Sequence, residues 1–378
     1  MNEPARPDDS VHMRAALALA RRGLGNTWPN PSVGCVIVRD GRVVGRGVTT
    51  PGGRPHAEPV ALDRAGDAAR GATAYVTLEP CCHWGRTPPC TDALIDAGVA
   101  RVVIGTRDPD PRVDGAGIAR LQAAGISVTE GVLQHDAREI IAGFALRLHA
   151  GRPLVTLKLA STLDGRIATA SGESRWITGE PARRAAHALR GGHDAVMVGA
   201  GTVLADDPEL TCRLPGFRPT PAVRVVADSW LRTPPGARIV ATAGETPTWI
   251  LMREDADAGL RCTLADSGVK LLATAASPLG VDLRQGIEHL ATAGITRVLV
   301  EGGARLAASL LREDLVDRIA WFHAPGVIGA DGLPAVQAFG VLTLLGMPRF
   351  RRRSSIALGG DMLSEFERIG HTPGGDKG

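Results

Sequence analysis

The stretch His56-Ala57-Glu58, followed by Pro80-Cys81 and then by Cys90, sets the expectation for both the fold and the chemistry of this chain. One imidazole and two thiolates can hold a Zn²⁺ ion and leave its fourth coordination position open to water. A carboxylate two residues after the histidine can move protons to and from that water. The sequence therefore predicts a zinc site with His56, Cys81 and Cys90 as ligands and Glu58 as the proton carrier.

The spacing of the two cysteines is unusual for such a site. Zinc-dependent deaminases of nucleobases use one His and two Cys on the metal and a Glu that is not a ligand, with the cysteines in a Pro-Cys-x-x-Cys pair. Here eight residues separate Cys81 from Cys90. One alternative is a structural zinc site closed by Cys82 or His83, in which Glu58 would have no role. Another alternative is that the cysteines are merely small buried apolar residues. The joint occurrence of His-Ala-Glu, Pro-Cys and the second Cys argues against it.

The residues between Cys81 and Cys90 are predicted to form a loop that the metal holds at both ends. Cys81 follows a predicted strand and Cys90 precedes a predicted helix, while His56 stands at the start of another helix. Two helix N-termini would then converge on the metal and favour the thiolates. Within the loop, Arg86 is a candidate partner for a phosphate group, and His83 is a candidate hydrogen-bond donor beside it.

Length and composition indicate a globular protein with two domains. The chain has 378 residues, more than one average domain, and its 44% hydrophobic residues can bury a core. The net charge of +3 does not favour a nucleic-acid or membrane surface, so neither partner is expected. Six cysteines in a chain without a secretory signal predict a cytoplasmic protein whose clustered thiols bind metal.

Strand and helix patterns alternate in both halves, which predicts an α/β fold. Residues 1–149 are predicted as the first domain, an α/β/α layer sandwich, and residues 150–370 as the second, with a Gly and a Pro at the junction. Residues 371–378 are predicted as a flexible tail. In the second half, the apolar run Arg238–Ala241 is predicted as a strand.

Four stretches of the first half resemble the bifunctional deaminase/reductase family of riboflavin biosynthesis. They are residues 29–38 (PNPSVGCVIV), 56–58 (HAE), 77–81 (TLEPC) and 85–90 (GRTPPC). A lengthened loop between the cysteines is normal in that family, which accounts for the spacing. The resemblance implies a cytidine-deaminase-like fold, the zinc ligands and proton carrier named above, and three substrate contacts: Asn30, His83 and Arg86.

The resemblance continues through the second half, so it covers nearly the whole chain. The matching motifs are residues 158–165 (KLASTLDG), 172–178 (GESRWIT), 201–208 (GTVLADDP), 210–213 (LTCR) and 300–303 (VEGG). They imply a dihydrofolate-reductase-like α/β domain that uses NADPH. Gly302-Gly303 lies between a predicted strand and helix, where backbone N–H groups can approach a phosphate. No G-x-G-x-x-G fingerprint accompanies it, so the resemblance alone implies NADPH.

The resemblance also implies two sets of contact residues in the second domain. Those for the cofactor are Ala160, Trp176, Thr202, Asp206, Ser229 and Gly303. Those for the substrate are Lys158, Ser174, Arg190, Leu210, Arg213 and Glu301. The residues by themselves also allow structural roles, with Arg190 and Arg213 as surface arginines, Trp176 in the core and Asp206 in a turn.

The resemblance implies a two-step enzyme, a hydrolase and an oxidoreductase. The first domain would release ammonia from 2,5-diamino-6-ribosylamino-4(3H)-pyrimidinone 5′-phosphate with one zinc ion. The second would reduce the ribosyl group to ribityl with NADPH, giving 5-amino-6-ribitylamino-uracil 5′-phosphate. A small phosphorylated pyrimidine is thus the expected partner, and a homo-oligomer is expected from the family's tendency to associate. The alternatives are a nucleoside or tRNA base deaminase with an unrelated C-terminal domain, and a non-catalytic binding protein held together by zinc.

Overall fold

A computed structural model describes residues 4–216 and 220–369, and these form two compact units that divide between Ala150 and Gly151. The predicted tail, residues 371–378, lies outside the described residues. Within the described ranges, no helix combines the length and the apolar character needed to cross a membrane. Each unit has its own sheet and its own buried core.

The first unit alternates helices and strands around one sheet. Its elements are α1 (Asp9–Gly23), β1 (Gly34–Arg39), β2 (Arg42–Val48), α2 (Ala57–Ala65), β3 (Thr73–Leu78), α3 (Cys90–Asp96), β4 (Arg101–Thr106), α4 (Ala116–Ala123), β5 (Ser127–Glu130) and α5 (Gln134–Ala150). The strand order is β2-β1-β3-β4-β5. Strand β1 is antiparallel to β2 and β3, whereas β3, β4 and β5 are parallel.

Successive strand residues point to opposite sides of this sheet. Both of its faces are apolar, and helices cover both of them. On one face, Ile37 and Ile104 pack with buried residues of α2, α3 and α4. On the other face, Val36 and Val103 pack with buried residues of α1 and α5. The predicted α/β/α layer sandwich is therefore confirmed.

Helix α2 lies in main-chain contact with β2, because β2 carries two glycines where the helix crosses it. A Cβ atom at Gly47 would collide with the carbonyl oxygen of Ala57, and Gly45 meets the next turn of the helix in the same way. The start of α2 carries His56 and Glu58. Their backbone is therefore positioned by direct contact between helix and strand.

The second unit is built on a larger sheet. Its elements are β6 (Leu154–Ser161), β7 (Arg166–Ala168), α6 (Glu180–Gly191), β8 (Ala195–Gly199), α7 (Ala200–Asp206), β9 (Val223–Ala227), α8 (Arg238–Ala241), β10 (Thr248–Arg253), α9 (Ala258–Asp266), β11 (Lys270–Thr274), β12 (Ala276–Ser277), β13 (Gly280–Val281), α10 (Leu283–Thr292), β14 (Arg297–Val300), α11 (Ala304–Arg312), β15 (Arg318–His323), β16 (Leu333–Pro334), β17 (Phe350–Leu358) and β18 (Asp361–Arg368).

Nine of these strands form one sheet, in the order β11-β10-β9-β8-β14-β6-β15-β18-β17. The first seven are parallel, and the hairpin of β17 and β18 adds two antiparallel strands beside β15. Residues of α7, α8 and α9 pack with Val198 and Ile250 in one core. The predicted α/β fold is confirmed for this unit as well.

The predicted strand at Arg238–Ala241 is wrong, because this run is the helical turn α8. Its apolar residues Ile239 and Val240 are buried in the core. The Arg224 guanidinium, which projects from β9, donates to the carbonyl oxygens of Ile239 and Thr242 at the end of the turn. These carbonyl groups have no partner within the helix. A short apolar run alone does not distinguish a strand from a buried helical turn.

Candidate active sites

The structure brings His56, Cys81 and Cys90 together in the first unit. Their ligand atoms all lie within 4.8 Å of one another. His56 immediately precedes α2, and Cys90 is the first residue of α3, so two helix starts meet at the cluster. Cys81 follows β3, and its sulfur accepts a hydrogen bond from the backbone N–H of Cys90 at 3.4 Å.

The spacing of these atoms fits a tetrahedral metal ion. Bonds of about 2.0 Å to nitrogen and about 2.3 Å to sulfur, at a tetrahedral angle, place the two donor atoms about 3.5 Å apart. The His56 Nδ1 atom lies 3.3 Å from the Cys90 sulfur and 3.7 Å from the Cys81 sulfur. One imidazole and two thiolates are also a donor set that zinc prefers. The three residues therefore fit a zinc ion.

The two thiols differ in acidity. The hydrogen bond from the Cys90 thiol, helped by His56 and opposed by burial, lowers the pKa of Cys81 to about 4. The same hydrogen bond, together with burial, raises the pKa of Cys90. A bound cation would favour ionisation of both thiols.

Glu58, in the first turn of α2, lines the same cavity as His56 and Cys81. Its side chain is almost fully enclosed, with the residue 3% exposed. Burial, followed by the negative charge of Cys81, raises the pKa of Glu58 to about 7. A carboxyl group with such a pKa can accept and release a proton near neutral pH.

The cavity beside the cluster has a volume of about 230 Å³. Two of the three predicted substrate contacts, Asn30 and His83, line it. The Asn30 side-chain amide donates to the Gly53 carbonyl oxygen at 2.9 Å and lies 3.4 Å from His56 Nε2. The Nδ1 atom of His83 is buried and has no hydrogen-bond partner among the described residues. It is therefore available to a ligand in the cavity.

Arg86, the third predicted contact, is exposed, and the described residues that line the cavity do not include it. Other charged residues that sequence reasoning missed do line it, namely Arg54, Glu79, Asp108, Asp110, Arg112 and Arg147. Burial raises the pKa of Asp108 to about 7. Asp108, Asp110 and Arg112 could have been predicted from the order of the strands. They follow β4, whose end lies at the same edge of the sheet as the end of β3, which Cys81 follows.

A second cavity, of about 950 Å³, lies in the second unit. It contains most of the residues predicted to contact cofactor or substrate: Lys158, Ala160, Ser174, Thr202, Asp206, Ser229, Glu301 and Gly303. Sequence reasoning missed Trp230, Arg232 and Arg253, which follow or end strands β9 and β10. Ligands bind beyond the carboxyl ends of parallel strands. The position of these three residues in the sequence could therefore have identified them as candidate contacts.

Four predicted contacts are not among the described residues that line this cavity, namely Trp176, Arg190, Leu210 and Arg213. Trp176 is 70% exposed, and the Arg183 guanidinium stacks over its ring at 4.6 Å. Leu210 is buried, and Arg213 is exposed and pairs with Glu209 at 3.5 Å.

Arg190 is joined to the cavity through Glu301. Its Nε and Nη2 atoms donate to the two carboxylate oxygens of Glu301 at 2.6 and 2.9 Å, and Nη1 donates to the Thr211 carbonyl oxygen at 3.0 Å. Burial lowers the pKa of Lys158, and the charge of Glu301 opposes this effect. The cavity thus holds an ammonium group and a carboxylate that Arg190 keeps in place.

The second cavity fits a dinucleotide. Helix α11 begins at Ala304, directly after Gly303, and α7 begins beside Gly201. A Cβ atom at Gly201 would meet nothing within 4 Å, and one at Gly303 would meet only Thr202 Oγ1, at 3.9 Å. The backbone at both helix starts is therefore open to a ligand. Helix N-termini favour phosphate groups, and the volume is at the upper end for small-molecule sites.

Comparisons with known proteins match both units. Residues 6–106 match the family model described as the cytidine and deoxycytidylate deaminase zinc-binding region. Residues 153–364 match the family model of the RibD C-terminal domain. The second match does not favour the alternative of an unrelated C-terminal domain.

Similar proteins extend over nearly the full length. The riboflavin biosynthesis protein RibD of Aquifex aeolicus is 41% identical over 360 residues, covering 95% of this chain and 98% of that protein. RibD of Escherichia coli is 42% identical over 365 residues, covering 94% of this chain and 98% of that protein.

Solved structures of similar proteins also match this chain over nearly its full length. Acinetobacter baumannii RibD, form 1, has a TM-score of 0.85 at 38% identity and covers 96% of this chain and 99% of its own. A diaminohydroxyphosphoribosylaminopyrimidine deaminase/5-amino-6-(5-phosphoribosylamino)uracil reductase from Thermotoga maritima has a TM-score of 0.83 at 36% identity, with coverage of 96% and 99%. The chain therefore belongs to the RibD family, the bifunctional deaminase/reductase enzymes of riboflavin biosynthesis that use zinc and NADPH.

Proposed function

We propose that residues 1–149 are the deaminase domain and residues 150–370 the reductase domain of this enzyme, and that each cavity described above carries out one step on a small phosphorylated pyrimidine. The observation that carries the proposal is that Glu58 lines one cavity with His56 and Cys81, whose ligand atoms cluster with that of Cys90. The substrate is 2,5-diamino-6-ribosylamino-4(3H)-pyrimidinone 5′-phosphate.

At the first cavity, His56 and Cys81, together with the adjacent Cys90, would hold the zinc ion. When bound, zinc supplies the Lewis acidity that lowers the pKa of water. The Glu58 carboxylate takes a proton from the attacking water and returns it to the departing ammonia, for which its raised pKa is suited. Asn30 and His83 orient the pyrimidine ring, and Arg86 contacts the outer part of the substrate from the exposed loop.

In the second cavity, the groups at the starts of α7 and α11 bind NADPH, with Ala160, Asp206 and Ser229 as further contacts and Trp176 at its exposed edge. When bound, NADPH supplies the hydride that reduces the sugar at C1′. Lys158, Ser174 and Glu301 orient the sugar. Arg190 fixes the Glu301 carboxylate, while Leu210 and Arg213 shape the neighbouring loop.

The experiment supplies the diaminopyrimidinone phosphate with and without NADPH and follows ammonia and the absorbance of the cofactor. We expect ammonia in both cases, and NADPH oxidation only after ammonia has been released. NADPH oxidation without prior ammonia release, or the absence of ammonia, would refute the proposal. Replacement of Lys158 by Ala should lower NADPH oxidation on the deaminated substrate and leave ammonia release unchanged.

We further propose that the chain acts as a homo-oligomer in the cytoplasm, without nucleic-acid or membrane partners. All six cysteines are free thiols, and the net charge is only +3. Leu342 and Leu345 are 95% and 92% exposed, a few residues before β17, the last strand of its sheet. Exposed apolar residues beside a sheet edge favour association. Sedimentation of the Leu345→Glu variant, with Leu260→Glu as control, should show dissociation only for the former.

A further inference from the structure

Arg54 is a cation in the first cavity that the chemistry described above does not use. Three arginines line that cavity. Arg112 is neutralised by Asp110, with Nε 3.0 Å from Oδ1 and Nη2 2.5 Å from Oδ2, and Arg147 interacts with other residues. Arg54 is half-buried, and among the described residues it forms no ion pair with a carboxylate.

The surroundings of Arg54 leave most of its guanidinium group available. Its Nη1 atom donates one hydrogen bond, to Thr87 Oγ1 at 2.6 Å. Its Nη2 atom lies beside Gly85, where a Cβ atom would be 3.3 Å away. A guanidinium group has five N–H donors, and a pair of them matches two oxygens of a phosphate. The Thr87 hydroxyl accepts from Arg54, so its own proton remains free for a third hydrogen bond.

Burial places Arg54 at the correct end of the cavity for such a role. Glu58 is 3% exposed and lies at the enclosed end, whereas Arg54 and Thr87 are half-buried and Gly85 is exposed. The reacting ring carbon must reach Glu58 and the metal ligands. The sugar then extends from the ring toward the loop, and the phosphate at its far end comes to the rim.

We propose that Arg54, with the Thr87 hydroxyl, binds the 5′-phosphate of the pyrimidine in the deaminase cavity and thereby selects the phosphorylated substrate. The assignment rests on the function proposed above. It differs from the role suggested for Arg86, whose side chain is exposed and outside the lining residues. No carboxylate among the described residues pairs with this guanidinium, and a phosphate would supply such an anion.

The test compares deamination of the phosphorylated pyrimidine with that of its dephosphorylated counterpart. For Arg54→Ala we expect kcat/KM to fall about 10- to 100-fold on the phosphorylated substrate, the range for hydrogen bonds to charged groups, and to stay unchanged on the other. Arg54→Lys should lie in between, because it keeps the charge but loses the fork. Arg42→Ala removes an exposed arginine of β2 and should match the wild type.

Inhibition by ribose 5-phosphate gives an independent measure of phosphate binding. Arg54→Ala should weaken it, and Arg42→Ala should not. Equal losses on both substrates, or a loss of phosphate selectivity in Arg86→Ala alone, would overturn the proposal. If Arg54→Ala loses zinc or unfolds, Arg54→Gln and Arg54→Lys in the same inhibition assay test whether Arg54 binds the phosphate. A wild type that acts equally on both pyrimidines refutes only this inference, whereas one that releases no ammonia refutes the function itself.

Discussion

Glu58 shows how strongly one position can depend on its surroundings. The glutamate sits in the first turn of a helix, where the dipole favours a negative charge, yet burial and the Cys81 thiolate raise its pKa to about 7. The helix start therefore presents a carboxyl group that changes protonation near neutral pH. A proton carrier needs this property, whereas a structural carboxylate does not.

Replacement of Glu58 by Gln tests this role. The variant keeps the size of the side chain and all three metal ligands, so we expect normal zinc content. Ammonia release should fall by about 10²- to 10⁴-fold, the usual contribution of a positioned proton carrier. NADPH oxidation on the deaminated substrate serves as the internal control and should be unchanged. Near-normal deamination would contradict the assignment.

Among individual residues, the sequence predicted those whose chemistry belongs to a recognisable motif. His56, Cys81 and Cys90 stand out because few other functions explain that combination, and the structure brings them together. Arg54 could not be recognised in the same way, because its value depends on contact with Gly85 and Thr87 in a distant loop. Single arginines in a sequence are usually surface residues.

Among the elements of the first unit, α1 is tied to the sheet by a buried ion pair. Asp9, the first residue of α1, accepts hydrogen bonds from Arg101 in β4 at 2.8 Å to each oxygen, and from Tyr75 in β3 at 3.0 Å. Burial alone would raise the pKa of Asp9, but the hydrogen bonds from Arg101, the Arg6 backbone and Tyr75 outweigh it, and the pKa is lowered.

Replacement of Asp9 by Asn should cost about 3–5 kcal/mol at pH 7, because it removes the carboxylate charge from its buried ion pair with Arg101. Asp136→Asn, which removes the exposed pair with Arg21, should cost less than about 1 kcal/mol. Since the folded pKa of Asp9 is lowered, its contribution is complete above the unfolded pKa near 4 and is lost as the pH falls below that value. Urea unfolding followed by circular dichroism should show the difference shrinking under acid; a constant difference would contradict the pairing.

The contact between β2 and α2 gives a second prediction at this scale. Gly47→Ala inserts a methyl group where the Ala57 carbonyl oxygen lies, so α2 must move away from the strand at a cost of about 1–3 kcal/mol. We expect lower zinc content and slower ammonia release, because the start of α2 carries His56 and Glu58. Gly244→Ala, in an open position of the second unit, is the matched control. Full activity of Gly47→Ala would show that α2 is not fixed by this contact.

Prediction of elements from sequence succeeded where alternation was long and failed where runs were short. The layers of both units follow from regular strand and helix patterns. The turn α8 was mistaken for a strand because its stability comes from Arg224, which caps it from another element. Such tertiary capping leaves no trace in the local sequence.

For the whole molecule, the two cavities lie in separate units, and all metal ligands belong to the first. Removal of zinc with a chelator should therefore abolish ammonia release. NADPH oxidation on the deaminated substrate should continue, and added zinc should restore the first activity. A parallel loss of both activities would show that the second site depends on the metal.

The main-chain contact at Gly45 and Gly47 also has a consequence for protein engineering. Two ligand positions, His56 and Cys90, stand at helix starts, and Cys81 stands three residues after the end of β3. The metal geometry is thus carried by the scaffold, and the eight residues between the cysteines contribute no metal ligand, although Thr87 is hydrogen-bonded to Arg54. That segment can be exchanged as a cassette to redirect the enzyme toward other pyrimidines without rebuilding the metal centre.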